Sequence, residues 1–168
     1  MFIEIEKKRT EFPFGEAKLW FRFDNRAFLN IEKSGLCPFD TRDISENAAK
    51  ARVFISEGLS DCLKTLGANE RKDEITNALM SGGSESVTTL IQRAVLEALP
   101  LSALNGNTEK SENKANAGTM LSLYCDIMRR PEEEFWSATL REITERWERY
   151  AVIKGYRKAP IQIRRYDD

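Results

Sequence analysis

The stretch LSALNGNTEKSENKANAG, residues 101–118, limits this chain more than any other feature. After Leu104 it holds no large apolar side chain. Such a segment buries too little apolar surface to offset the entropy lost on ordering it. It predicts a flexible linker, and it divides the apolar pattern into a first part, residues 1–100, and a second, residues 119–168. With 168 residues the chain has room for one ordinary domain or two very small ones.

The first part opens on strand patterns. Phe2, Ile3 and Ile5 stand among charges in residues 2–8, and residues 16–23 alternate with a period of two. Ala17, Leu19, Phe21 and Phe23 fall on one face, with Lys18, Trp20 and Arg22 on the other. Pro13 and Gly15 lie between the two runs and are expected to turn the chain into a hairpin. A lone hairpin is marginal in water, so this one must lie on apolar helices.

Helical spacing follows. Asp24 or Asn25 is placed to cap a short helix carrying Ala27, Phe28 and Ile31, ended by Gly35. After a loop around Pro38, Asp43 or Ser45 is expected to open a longer helix with a stripe of Ala51, Ile55, Leu59, Cys62 and Leu66, stopped at Gly67. Asn69 begins a third, with Ile75, Ala78 and Leu79 inward and Gly82 and Gly83 at its end. Ser84 caps a fourth, with Val87, Leu90, Ile91, Ala94, Val95 and Ala98 on one side.

Beyond the polar segment, Met120, Leu121, Leu123, Tyr124, Ile127 and Met128 form an apolar helix that stops at Pro131. Pro131 suits the first position of a new turn, followed by Glu132, Glu133 and Glu134 where the helix dipole favours acids. TLRE, residues 139–142, has the form of a capping box. It opens a helix with Leu140, Ile143, Trp147 and Ala151 on one stripe and Gly155 at its end. The chain is therefore mainly α, with a small N-terminal β-hairpin packed on a helical bundle, a flexible linker, and a C-terminal helical module with a basic tail.

Little in the sequence supports catalysis. It has no histidine, which removes the commonest general base near neutral pH and the commonest metal ligand. Cys37, Cys62 and Cys125 form no metal or disulfide spacing and read as small hydrophobes. SGGSES, residues 81–86, lacks the Lys of a phosphate loop and reads as a helix stop and a cap. No catalytic residue, cofactor or metal is assigned.

The net charge of -1 gives no general attraction to nucleic acid. The basic, aromatic stretch KGYRKAPIQIRRY, residues 154–166, keeps a DNA-binding adaptor open as an alternative. No apolar run is long enough to span a bilayer, and the charged start MFIEIEKKRTEF is not the pattern of a signal peptide. A cytoplasmic setting is expected.

RRPEEEFWSATLREITERWERY, residues 129–150, holds two of the chain's three Trp among acids and arginines. Trp136, Leu140, Ile143 and Trp147 share helical spacing, which fits a core. A segment this short has little interior, and aromatics with Arg also suit a protein interface. The candidate protein-binding residues are Phe135, Trp136, Trp147 and Tyr150 in the second part and Trp20, Phe28 and Phe54 in the first.

The order of several motifs resembles the tail assembly chaperones of long-tailed, siphovirus-like phages and gene transfer agents. GEAKLWFRFDNRAFLNIEKSG is similar to their opening hairpin and helix, with Asn25, Ala27, Phe28, Leu29, Ile31, Glu32 and Gly35 in the pattern N-x-A-F-L-x-I-E-x-x-G. ARVFISEGL, with Phe54, Gly58 and Leu59, resembles their second helix. After the polar segment, Pro131, Glu132, Glu133, Phe135, Trp136, Thr139 and Glu142 resemble their second module.

The resemblance implies a non-enzymatic chaperone that binds and solubilises the tape measure protein and recruits subunits of the major tail tube protein. It implies work in the host cytoplasm and absence from the mature virion, with self-association left open. It also implies a division of labour, in which a chain cut at residue 100 keeps tape measure binding and loses tube recruitment. A structural head–tail connector is the other alternative.

Overall fold

A computed structural model describes residues 8–82, 84–100 and 117–156. The protein is mainly α, with one two-stranded antiparallel hairpin near its N-terminus. Strand β1, Thr10–Phe14, pairs with β2, Ala17–Phe21, in the register Thr10↔Phe21 to Phe14↔Ala17. Gly15 and Glu16 form the loop, and Gly15 takes a φ of 60°, the Gly-first arrangement that suits a two-residue hairpin. Pro13 is thus inside β1, opposite Lys18, rather than in the turn; an edge strand tolerates its missing N–H. The hairpin partner of β2 is therefore residues 10–14 and not the expected strand over residues 2–8. Of that stretch, residues 2–7 lie outside the described residues and Lys8 is in no strand; Gly83, residues 101–116 and the tail from residue 157 also lie outside them.

Helix α1, Asn25–Lys33, starts at an Asp24 cap whose carboxylate accepts from the Ala27 N–H at 2.8 Å. Helix α2, Ala48–Leu66, is capped by Asn47, not by Asp43 or Ser45. Residues 42–46 form a turn, with Asp43 at a positive φ of 58°, and this turn delays the helix. Gly67 ends α2 in the left-handed conformation. A 3-10 turn, Asn69–Arg71, leads into α3, Lys72–Ser81, where Thr76 rather than Ala78 joins Ile75 and Leu79 inward. Helix α4, Ser84–Ala98, buries Val87, Ile91, Ala94, Val95 and Ala98.

Helix α5, Ala117–Ser122, widens into a π turn, Leu123–Ile127. Pro131 stands at the N-cap of α6, Glu132–Ser137, one place ahead of the first helical position expected for it and with no side-chain cap bond. Thr139 caps α7, Leu140–Ile153. Both bonds of the capping box read from TLRE are present.

Two apolar clusters result. The larger joins the hairpin to α1 through α4 and includes Phe12, Phe21, Phe23, Phe54, Leu59 and Ile91. Burying each such side chain contributes roughly 1.5–3 kcal/mol. The smaller gathers Tyr124, Phe135, Ala138 and Ile143.

The alternation read in β2 misplaces Trp20. Leu19, Trp20, Phe21, Arg22 and Phe23 are all buried, because α2 and α4 both pack on the hairpin and cover this end of β2 on both faces. Glu11, Pro13, Lys18 and Ala17, the last of them expected inward, stay exposed. The Trp20 indole N–H donates to Asp61 of α2 at 3.0 Å, and the Arg9 guanidinium lies 4.2 Å from its ring centroid.

Candidate protein-docking groove

The elements after residue 117 lie against the first part through residues 135–142. The Asn25 backbone N–H, an orphan at the start of α1, donates to the Ala138 carbonyl at 2.9 Å. The Asn25 side-chain amide donates to the Phe135 carbonyl at 2.9 Å. At the other end, the buried Arg141 guanidinium donates to the Leu96 and Leu99 carbonyls, both at 2.8 Å, and so caps the C-terminus of α4.

Between these contacts lies a buried charge cluster. The Arg22 guanidinium donates to the Ser137 carbonyl and to Glu142, each at 2.8 Å, with Asp61 at 3.7 Å and Asp24 at 3.9 Å. Burial pushes the Asp24 carboxyl above its usual range, against the Ala27 N–H bond and the Arg22 charge, which pull it down. Three carboxylates thus share one guanidinium. Arg22 Nε and Glu142 Oε1 are buried without a hydrogen-bond partner, while the remaining contacts pair the cluster across the two parts, so it reads as structure that locks them together.

This lock aligns α1 with α6 and opens a groove of about 620 Å³ between them. Phe28, Leu29, Leu36 and Phe39 line one side; Phe135, Trp136, Leu140 and Met120 line the other. Phe28 meets Phe39 edge-on at 5.2 Å, and Phe135 meets Trp136 edge-on at 5.1 Å. Phe39 is 50% exposed, and Trp136 is half-buried with its indole N–H donating to Glu132 at 2.9 Å. Among the described residues Glu32 is the only charged one in the lining.

Three of the seven candidate residues, Phe28, Phe135 and Trp136, therefore come together from both parts. Phe28 and Phe135 are themselves buried members of the larger and the smaller cluster, so of these three Trp136 alone offers open surface. Trp20 and Phe54, enclosed in the larger cluster, do not line the groove. Trp147 and Tyr150 lie elsewhere on α7. Their rings stack at 5.8 Å, the Tyr150 hydroxyl donates to the Ile127 carbonyl, and the exposed Tyr156 ring follows at 6.4 Å.

Sequence reasoning missed Phe39, Leu36 and Glu32 as groove residues. The signal for Phe39 was a large aromatic in the otherwise small and polar loop LCPFDTRD, where no helical or strand period could assign it to a core. It also missed Arg141 and Glu142 as buried charges, since charged side chains read as solvated on a helix.

Among the described residues no group of three or more metal-ligating side chains occurs, and no helix is long and apolar enough to cross a membrane. Burial raises the Cys62 thiol above its usual range, which keeps it protonated and unreactive. Compared with protein-family profiles, curated proteins and solved structures, the chain finds no significant match.

Proposed function

We propose that this protein is a tail assembly chaperone of a long-tailed phage or gene transfer agent. It binds the tape measure protein, keeps it soluble in the host cytoplasm, and recruits tail tube subunits around it, without catalysis. The observation that carries this reading is the groove. Its two sides come from the two stretches that resemble the family, the Phe28 helix and the Phe135–Trp136 turn. A tape measure protein presents long amphipathic helices that aggregate when bare, and an apolar groove between helices suits such a segment.

The division of labour between the parts changes with it. Because the groove takes a side from each part, holding the tape measure protein is assigned to both, and a chain cut at residue 100 loses half of the groove.

Composition of finished particles tests this against a head–tail connector. The chaperone reading expects tape measure and tube proteins in purified particles and this chain only in the lysate. A fixed number of copies in each particle would make it a structural subunit instead.

A further inference from the structure

We propose that the groove between α1 and α6 receives an amphipathic helix whose apolar stripe is flanked by Lys or Arg. The identity of the protein carrying that helix rests on the chaperone reading; the chemistry of the site does not.

The lining sets the class of ligand. Its polar side chains are Asn25, Glu32 and Cys37. The Asn25 amide is already committed to the Phe135 carbonyl. A small molecule needs several convergent polar groups to fix its orientation, and the groove does not provide them. It provides broad apolar contact from aromatic and aliphatic side chains, with Phe39 and Trp136 still partly open to solvent. That is the surface into which apolar anchors at helical spacing fit.

The charge sets the sign of the partner. Glu32 is exposed in the lining and has no ion pair among the described residues. A second carboxylate, Glu132, sits on the Trp136 indole at the other side. The nearby guanidinium of Arg26 is engaged by Glu133 at 3.1 Å, so it does not offset them. Lys33, beside Glu32 on α1, and Glu132 both lie outside the lining, so Glu32 is the charge that the described lining itself presents to an occupant. An acid-edged apolar groove favours a basic-flanked segment, and it disfavours an acidic one by unpaired like charge.

The probe is a designed, labelled Leu–Lys helix of about 18 residues, followed by fluorescence anisotropy on the full chain. Its Leu–Glu counterpart is the control. The expected result is binding of the Leu–Lys helix, with Glu32→Lys weakening it by about tenfold and shifting preference toward the Leu–Glu helix. Phe39→Asp, at an exposed position and checked for fold by circular dichroism, abolishes binding of both.

Equal binding by wild type and Phe39→Asp would overturn the proposal, as would no binding at all. Binding that appears only after residues 157–168 are removed would name the chain's own tail as the occupant. A dimer that Phe39→Asp converts to a monomer would name a second copy. Both of those results also overturn it. Capture of the tape measure protein by wild type and by Phe39→Asp alike leaves the chaperone reading standing and removes the groove from it. Peptide binding without tape measure capture does the reverse.

Discussion

One carboxylate oxygen of Glu142 accepts from the Arg22 guanidinium at 2.8 Å and from the Thr139 backbone N–H at 2.9 Å. Arg22 follows the hairpin and Glu142 lies in the first turn of α7, so a single atom closes the capping box of α7 and holds the two parts together. Removing Arg22 leaves Glu142 buried without a cation, whereas removing Glu142 leaves Arg22 with the Ser137 carbonyl, Asp61 and Asp24. Arg22→Met is expected to cost about 3–5 kcal/mol, Glu142→Met less, and the double substitution less than the sum. Glu142→Gln keeps an oxygen for the Thr139 N–H and loses the ion pair, so it is expected to fall between wild type and Glu142→Met. Urea unfolding of the five proteins measures this; additive losses in the double variant would show that the pair is not coupled.

Asp24 gives a pH dependence of defined sign. Burial raises its folded pKa above the unfolded value. A group so shifted contributes stability below its unfolded pKa and loses that contribution as pH rises through its folded pKa. Asp24→Asn retains a cap for the Ala27 N–H and removes the buried charge. The stability of the variant relative to wild type is therefore expected to improve as pH rises from the unfolded pKa through the raised folded pKa, and to level off above it. A relative loss over that range would mean that attraction to Arg22 outweighs burial.

Gly58 is a point of close packing in α2. A Cβ there would lie 2.8 Å from the Phe23 ring and 2.9 Å from the Phe21 ring, both fully buried. Ala is the better helix former by about 1 kcal/mol, yet overpacking two enclosed rings costs about 1–3 kcal/mol. Gly58→Ala is expected to lower the melting temperature. An unchanged or raised value would mean that the hairpin shifts away from α2 at little cost.

Much of this fold could be read from the chain because it depends on local chemistry. The Gly67 stop, the Asp24 cap, the α4 stripe and the TLRE capping box all rest on neighbours within a turn or two. What escaped depends on distant parts meeting. Trp20 reads as outward while only β2 is considered, and it becomes buried when α2 and α4 cover the hairpin. The start of α2 moved to Asn47 because a turn with Asp43 at positive φ precedes it, and tolerance of that conformation is a weak signal in sequence. The burial of Arg22, Arg141 and Glu142 escaped, since their partners lie 120, 45 and 120 residues away. Phe28, Phe135 and Trp136 were legible as candidates one by one; the groove that unites them was not, because it exists only once α1 and α6 are locked side by side.

The most direct test of the chaperone account is the solubility of the tape measure protein encoded in the same genome, expressed with and without this chain. The account predicts a tape measure protein that is insoluble alone, and soluble and co-purifying when the full chain is present. A tape measure protein that stays equally insoluble beside a folded, soluble chain would contradict it.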